Sequence, residues 1–236
     1  MKLLKEIFRI LKQIFYLPRY LTNFLFGTFY YDNFLAKSKI KYSGNLPLNE
    51  KIVIFLIFPD FGLAKSHLKT LRYFIKNNFT PLVVSNLPLS KEDKDLLLKN
   101  CWTLIERKNY GYDFGGYRDG VLFLFEKIRD LDKLILMNDS TWFPIINNNS
   151  FTDFVDNSNL DFIGATSHYG FKRQRLPSKK TSLSKPEFNF NNKNFHYASY
   201  ALSFSKKILK DENFLKFWKN LRPVSYTHLR AHETLS

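Results

Sequence analysis

The chain has 236 residues, of which 44% are hydrophobic and 17% aromatic, so it can bury a core and is not expected to be disordered. Its formal net charge of +15 predicts attraction to an anionic partner, which is a nucleic acid, a membrane surface or a phosphorylated ligand. The single cysteine, Cys101, excludes a disulfide framework and is typical of a buried thiol in a reducing cytoplasm.

The first 16 residues have the pattern of a basic amphipathic helix. Apolar side chains recur at helical spacing, and the other face carries four basic residues, Lys2, Lys5, Arg9 and Lys12. Charge interrupts the apolar runs too often for a transmembrane span, and no signal-peptide cleavage site follows. Such a helix either lies on an anionic membrane surface or packs on the core of its own domain. We treat residues 1–48 as a separate N-terminal region.

Between residues 49 and 222, short apolar runs alternate with amphipathic segments. Buried strands are predicted over residues 52–58, 81–84, 101–105 and 134–137, and helices between them over residues 67–79, 90–98 and 115–128. Further along we expect a short helix over 151–157, strands over 160–166 and 196–204, and a last helix over 209–221. This alternation predicts an α/β domain with a mostly parallel sheet flanked by helices.

The last residues depart from the composition of the rest of the chain. Residues 225–236 contain no Lys, Asn, Ile or Phe, which are frequent elsewhere. This string resembles translated adapter sequence, so we expect residues 223–236 to be a non-native tail and the natural gene to be cut near Pro223. His228 and His232 are therefore given no role, although their spacing suits a metal.

Three polar segments follow predicted strands. Asp60 follows the first strand, a glycine-rich turn from Arg107 to Gly116 follows the third, and Asn138-Asp139-Ser140 follows the fourth. In sheets of this kind ligands bind at the carboxyl ends of the strands. The sequence therefore predicts that the three segments meet in one ligand site.

The segment Asn138-Asp139-Ser140 offers hard oxygen ligands. One carboxylate together with the phosphate oxygens of a nucleotide suits Mg²⁺ or Mn²⁺, with Asp139 as the metal ligand. The alternative is a turn in which these side chains bond their own backbone.

The glycine-rich turn favours an anionic ligand at the start of a helix. Gly111, Gly115 and Gly116 would let backbone amides approach a diphosphate. Asp113 is either the N-cap of a helix that begins near Gly115 or a contact to a ribose or base.

These motifs together resemble the rhamnan synthesis protein F family. The resemblance rests on residues 105–121, 136–140, 161–166 and 196–200 and covers about residues 50–221. It implies a glycosyltransferase of the A-type fold, which uses a nucleoside diphosphate sugar such as dTDP-rhamnose to build a cell-surface polysaccharide. On this resemblance Asp139 holds the metal and the diphosphate, and Asp113 faces the nucleotide. Arg107 and Asn109 shape the turn.

A transferase of this kind needs a group that deprotonates the acceptor hydroxyl in an inverting displacement. His196 and Asp161 are the candidate bases. Each has a structural alternative, because His196 suits a half-buried strand position and Asp161 the start of its strand. The basic loop over residues 172–185 either closes over the diphosphate or is an ordinary solvated loop.

Three classes of function remain open. The leading prediction is a cytoplasmic glycosyltransferase, peripheral at the inner face of the cell membrane, that adds a sugar such as rhamnose to a lipid-linked or surface glycan. A non-catalytic interaction module of a polysaccharide assembly complex would have the same fold. A nucleic-acid-binding protein is disfavoured, because the basic residues are scattered and no recognition motif is present.

Overall fold

A computed structural model of the chain describes residues 2–146, 148–168 and 195–221. The helices are α1 (Lys2–Tyr30), α2 (Lys65–Lys76), α3 (Lys91–Leu98), α4 (Tyr112–Lys127), α5 (Ser150–Asn157), α6 (Lys206–Lys210) and α7 (Glu212–Asn220). The strands are β1 (Ile40–Ser43), β2 (Lys51–Ile57), β3 (Thr80–Ser85), β4 (Thr103–Glu106), β5 (Lys133–Asn138), β6 (Phe162–Gly164), β7 (Ser167–His168), β8 (His196–Tyr197) and β9 (Ala201–Ser205). The predicted basic loop and the predicted non-native tail lie outside the described residues.

Seven strands form one sheet in the order β1-β4-β3-β2-β5-β9-β6. The central strands β4, β3, β2 and β5 are parallel, while β1 and β9 run antiparallel to their neighbours. The short strands β7 and β8 pair in a separate two-stranded ribbon. The prediction of an α/β fold with a mostly parallel sheet flanked by helices is confirmed.

The two faces of the sheet build two core layers. Because side chains alternate along a strand, Ile52, Ile54 and Leu56 of β2 pack towards α4 and α7, whereas Val53 and Phe55 pack towards α2, α3 and α5. All of these β2 residues are buried. Helices on both faces explain why β2, β3 and β5 are nearly continuous apolar runs.

Several elements differ from the sequence predictions. The strand expected over 160–166 is the shorter β6, and β7 follows it; the strand expected over 196–204 is split into β8 and β9, and the last helix into α6 and α7. The helix break occurs at Asp211, whose backbone is extended. Its side chain caps α7 by accepting the Asn213 N–H. Strand β1 was not predicted, because it is a partly exposed edge strand with few apolar residues. It places part of the sheet inside the 1–48 region.

Helix α1 is longer than predicted and runs through Pro18 to Tyr30. Its large apolar side chains are exposed at Ile7, Phe8, Ile10, Leu11, Ile14, Phe15, Leu17, Leu21, Leu25, Phe26 and Phe29. Burial begins at the end of the helix, at Gly27 and Tyr31. The alternative in which this helix packs on the core of its own domain is therefore not what the structure shows. None of the helices within the described residues has the length and apolarity that crossing a bilayer requires.

Candidate functional site

The loops that follow the four parallel strands meet at one edge of the sheet, as predicted. We call residues 58–60, 86–88, 107–111 and 138–140 the carboxyl edge. The register brings these loops together, because Leu56 lies opposite Asn138 and Ser85 opposite Glu106. Polar groups at this edge are therefore supplied by segments far apart in the sequence.

Asp139 is held at the carboxyl edge through one of its two carboxylate oxygens. Its backbone N–H donates to the Leu56 carbonyl over 3.1 Å. Its Oδ2 accepts the Phe58 backbone N–H at 2.7 Å and lies 3.2 Å from Nε2 of His67. Among the described residues, no hydrogen bond to Oδ1 is found. The side chain is thus oriented through Oδ2, and it is partly exposed, so Oδ1 is available for a further contact.

His67 was missed in the sequence. Its Nδ1 accepts the Ala64 backbone N–H at 3.2 Å, which leaves the proton of the neutral ring on Nε2, the nitrogen that lies 3.2 Å from Asp139 Oδ2. His67 lies in the first turn of α2, the helix that follows β2. That position was the available signal, because the first turn of a helix after a parallel strand lies near the carboxyl edge.

Asn138 joins two segments of the site by hydrogen bonds. The side chain is buried, its Nδ2 donates to Asp113 Oδ2 at 2.8 Å, and its Oδ1 accepts the Ser140 N–H at 3.1 Å. The alternative of a turn whose side chains bond their own backbone therefore holds for Asn138 and Ser140. It does not hold for Asp139, whose carboxylate contacts other segments. Ser140 itself is exposed beside Asp139.

Asp113 lies in the first turn of α4 and is not its N-cap. The cap is Gly111, which has a left-handed φ of 77°, and the helix begins at Tyr112 with φ 48°. The expectation that the helix begins near Gly115 with Asp113 as its cap is wrong, because the glycine at 111 makes the turn two residues earlier. Asp113 instead accepts the Asn138 amide and so lies beside Asp139.

Gly115 and Gly116 serve close packing. The Gly115 N–H bonds the Gly111 carbonyl at 2.8 Å, so it is not presented to a diphosphate. A Cβ on Gly116 would come within 2.4 Å of the Leu56 side chain. These two glycines therefore let α4 pack closely against its surroundings, and they do not have the predicted role of presenting amides to a diphosphate.

Tyr117 connects α4 to the segment that precedes β9. Its hydroxyl donates to the Ser199 carbonyl at 3.0 Å. Burial raises the pKa of Tyr117, and the negative charges of Asp113 and Asp139 raise this pKa further. The two carboxylates therefore act on the same buried hydroxyl from one side of the site.

Arg107 supports the turn from behind. Its side chain is fully enclosed and makes an ion pair with Asp119 at 2.7 Å. It also donates to the Tyr31 hydroxyl, the Asn86 side chain and the Tyr110 carbonyl. All of these partners are protein groups, so the structure places Arg107 where it shapes the turn and does not bring it to the surface of the site.

Asn109 lies at the mouth of a cavity on the same edge. The cavity has a volume of about 340 Å³ and is lined by the loops after β3 and β4, including Pro88, Lys108 and Asn109. Lys108 and Asn109 are both exposed. The cavity, the glycine-rich turn and Asp139 therefore all lie on the carboxyl edge.

The two predicted bases lie in different places. His196 pairs with His168 in the β7–β8 ribbon, just before the segment whose carbonyls at Ser199 and Tyr200 bond Tyr117 and Asn138. Asp161 precedes β6 at the opposite edge of the sheet. There it bonds Ser205 and Lys207, which lower its pKa. Asp161 is therefore separated from Asp139 by the length of the strands and is not retained as a base.

The donor set fits a divalent metal only if the substrate supplies further ligands. The described part of the chain contains no cluster of three or more His, Cys, Asp or Glu side chains. Mg²⁺ commonly binds one or two carboxylates, several waters and the phosphates of its substrate. A single carboxylate, that of Asp139, with the exposed Ser140 next to it in the sequence, matches that kind of site and not an all-protein cage.

Among solved structures, the galactosyltransferase LgtC in complex with donor and acceptor sugar analogues is similar to this chain. The TM-score is 0.40 with 12% sequence identity, and the match covers 78% of this chain and 66% of that one. This likeness is too distant to assign any residue.

Two curated relatives are similar to this chain in sequence. The chain is 31% identical over 220 residues to the uncharacterized protein y4gN of Sinorhizobium fredii, which is 93% of this chain and 52% of the relative. It is 27% identical over 121 residues to virulence protein VirA of Vibrio anguillarum, which is 47% of this chain and 38% of the relative. The chain thus spans about half the length of the first relative and less of the second. A family model of rhamnan synthesis protein F matches residues 82–236, and because this is more than half of the sequence, the chain belongs to the rhamnan synthesis protein F family.

Proposed function

We propose that the chain is a glycosyltransferase that binds a nucleoside diphosphate sugar at the carboxyl edge and transfers the sugar to a glycan acceptor. The observation that carries this proposal is Asp139, whose Oδ2 accepts the Phe58 N–H and lies 3.2 Å from His67 Nε2, while no hydrogen bond to Oδ1 is found among the described residues. Membership of a rhamnan synthesis family supports sugar transfer as the chemistry. We propose rhamnose as the sugar, and a lipid-linked or surface glycan as the acceptor.

The diphosphate of the donor is the group that needs stabilisation, because negative charge develops on it as the sugar leaves. Asp139 would hold a Mg²⁺ or Mn²⁺ ion, which when bound supplies positive charge to that diphosphate. Lys108 is exposed on the same edge and adds a cation of the protein's own. The cavity beside Asn109 has room for part of the nucleoside.

The acceptor hydroxyl must lose a proton as it attacks the sugar. We propose His196 as the base, because its strand in the ribbon leads directly into the segment that bonds Tyr117 and Asn138. An inverting displacement would follow, since a single base acting on the acceptor needs no protein nucleophile.

Donor binding and donor hydrolysis test the role of Asp139. The wild-type chain and an Asp139→Asn variant would be titrated with nucleoside diphosphate sugars, including dTDP-rhamnose, in Mg²⁺ or Mn²⁺. Asparagine keeps an oxygen that accepts the Phe58 N–H but loses the charge, so we expect turnover to fall about a hundredfold with the fold intact. The matched control is Asp95→Asn, an exposed carboxylate on α3 that lies outside the carboxyl edge, which should behave as wild type.

Equal turnover by wild type and Asp139→Asn would overturn the role of Asp139. A wild type that binds donor but never releases sugar to any acceptor would instead support the non-catalytic interaction module.

We also propose that α1 attaches the enzyme to the anionic inner face of the cell membrane. The helix exposes apolar side chains at the described positions from Ile7 to Phe29, with Phe8 71% and Phe15 78% exposed. Basic residues are predicted on the opposite face, and the chain is strongly cationic. A helix of this kind buries its apolar face in the headgroup region of an anionic bilayer.

Vesicle flotation tests this attachment. The wild type should float with vesicles that contain phosphatidylglycerol, and less with pure phosphatidylcholine. Phe15→Glu should abolish flotation, whereas Gln13→Glu adds the same charge to the polar face and should weaken it only slightly. If both substitutions had equal effects, charge alone would explain binding and insertion of the apolar face would be excluded.

A further inference from the structure

Tyr31 is a buried residue at the point where α1 passes into a π-helical turn, Tyr31–Leu35. Its hydroxyl donates to Asp119 and accepts hydrogen bonds from Nε and Nη2 of Arg107, at 3.2 and 3.1 Å. Burial and the neighbouring Asp119 carboxylate raise the pKa of Tyr31, so the hydroxyl keeps its proton. The Tyr31 hydroxyl is thus hydrogen-bonded to both residues of the buried Arg107–Asp119 ion pair.

The same residue contacts the glycine-rich turn directly. The Tyr31 ring stacks on the Tyr110 ring, with centroids 5.4 Å apart and planes at 11°. Arg107, which Tyr31 helps to orient, donates from Nη2 to the Tyr110 carbonyl. Both the side chain and the backbone of Tyr110 are therefore held by one buried cluster.

The backbone after Tyr110 is in a conformation that needs such support. Gly111 and Tyr112 both have positive φ, at 77° and 48°, and for tyrosine this region is unfavourable. Strained residues of this kind persist where surrounding contacts fix them. The next residue is Asp113, which bonds Asn138 beside Asp139. The placement of Asp113 thus depends on how Tyr110 is held.

The segment around Tyr31 is itself firmly attached to the domain. Asp32 accepts two hydrogen bonds from the Arg118 guanidinium, at 2.8 and 3.0 Å. Arg118 also donates to the Trp218 carbonyl at 3.1 Å. This segment therefore differs from the exposed part of α1 and moves with α4 and α7.

We infer that Tyr31 is a positioning residue for the donor site, which sets the turn from Tyr110 to Asp113 through Arg107 and the stacked ring. This inference rests on the proposed function, since it assigns the turn to donor binding. It also means that the segment after α1 completes the site, whereas the exposed part of α1 does not.

The test is a Tyr31→Phe substitution in the full chain, with Tyr30→Phe as the matched control. Tyr30 is half-exposed and directly precedes Tyr31, as the last residue of α1. Loss of the Tyr31 hydroxyl should weaken donor binding about tenfold, because hydrogen bonds to charged groups are among the stronger ones. Amide hydrogen exchange in residues 109–114 should become faster in Tyr31→Phe and stay unchanged in Tyr30→Phe. A Tyr31→Leu variant, which also loses the stacked ring, should show a larger effect on both measurements.

The two measurements separate this inference from the proposed function. If the wild type binds no nucleoside diphosphate sugar, the proposed function fails, and hydrogen exchange alone still decides whether Tyr31 holds the turn. Unchanged exchange in residues 109–114 of Tyr31→Phe would overturn the inference. A lower melting temperature with wild-type donor affinity would overturn it as well, since that result describes a residue important only for stability.

Discussion

The two ends of the carboxyl edge use charged residues in opposite ways. At the β4 end, Arg107 is enclosed and every bond found for it within the described residues goes to another protein group. At the β5 end, Asp139 is partly exposed, its Oδ2 contacts the Phe58 N–H and His67, and no hydrogen bond to its Oδ1 is found in the described part of the chain. Both residues come directly after buried strands. The position at a strand end therefore brings a charge to the site, but the number of protein partners decides whether that charge builds the site or meets a ligand.

Replacing Arg107 should have the largest effect on stability. Arg107→Met leaves Asp119 buried with only Lys39 as a charged partner, so the free energy of unfolding should fall by about 3–5 kcal/mol. Urea denaturation measures this loss. The control is Lys108→Met, an exposed neighbour, which should stay within about 0.5 kcal/mol of wild type. A small loss for Arg107→Met would show that the two ends of the edge do not differ as described.

Two adjacent glycines sharpen the comparison at the level of packing. A Cβ on Gly115 would lie 2.2 Å from the Tyr110 carbonyl oxygen, which is backbone, whereas the atoms nearest to one on Gly116 belong to the Leu56 side chain, which can shift more easily than backbone. Overpacking costs about 1–3 kcal/mol, and we expect Gly115→Ala to lie at the upper end of that range and Gly116→Ala at the lower end. Thermal unfolding of both variants checks the order. The reverse order would mean that the turn is less constrained than the helix below it.

A substitution at His67 tests the ligand-facing end. His67→Gln removes the acceptor at Nδ1 and changes the donor to Asp139, so stability should fall by only about 1 kcal/mol. Donor turnover should fall more, by about tenfold, because Asp139 loses the imidazole that lies 3.2 Å from its Oδ2 and helps to orient it. Steady-state kinetics beside urea denaturation separates the two effects. Unchanged turnover would contradict the orienting role of His67.

The smallest effect concerns pH. Burial raises the pKa of Cys101 to about 12 and also raises that of Tyr31. Both groups bind their protons more tightly in the folded chain, so their contribution to stability is complete below pH 9 and is lost as the pH rises towards 12. Urea midpoints measured from pH 7 to 11 should therefore decline only above about pH 9. Tyr31→Phe should decline less over the same range.

Much of the fold, but only part of the site, could be predicted from the sequence. Strands β2, β3 and β5 were predicted because continuous apolar runs have a strong local signal, and their alternation with helices placed Asp139 and the glycine-rich turn at one edge. Tyr31 had no such signal, since its partner Asp119 is 88 residues away and only the folded chain brings them together. The start of α4 was misplaced because a glycine cap at 111 competed with Asp113 as a cap.

Asp161 shows a different limit. It precedes a strand that runs in the same direction as β5, and a residue before such a strand lies at the amino edge, away from the ligand site. Its proximity in sequence to a recognisable motif was therefore misleading. Strand direction, once the sheet order is known, is enough to exclude it.

The rigid junction at Tyr31 and Asp32 has a kinetic consequence if α1 docks on a bilayer as proposed. A helix of this length spans about 43 Å at 1.5 Å per residue, and its root is fixed to the domain that carries the carboxyl edge. The enzyme would then meet a lipid-borne acceptor by lateral diffusion, while the nucleotide sugar arrives from solution. Its rate would follow the surface density of the acceptor in the leaflet and would be insensitive to the acceptor's concentration per unit volume.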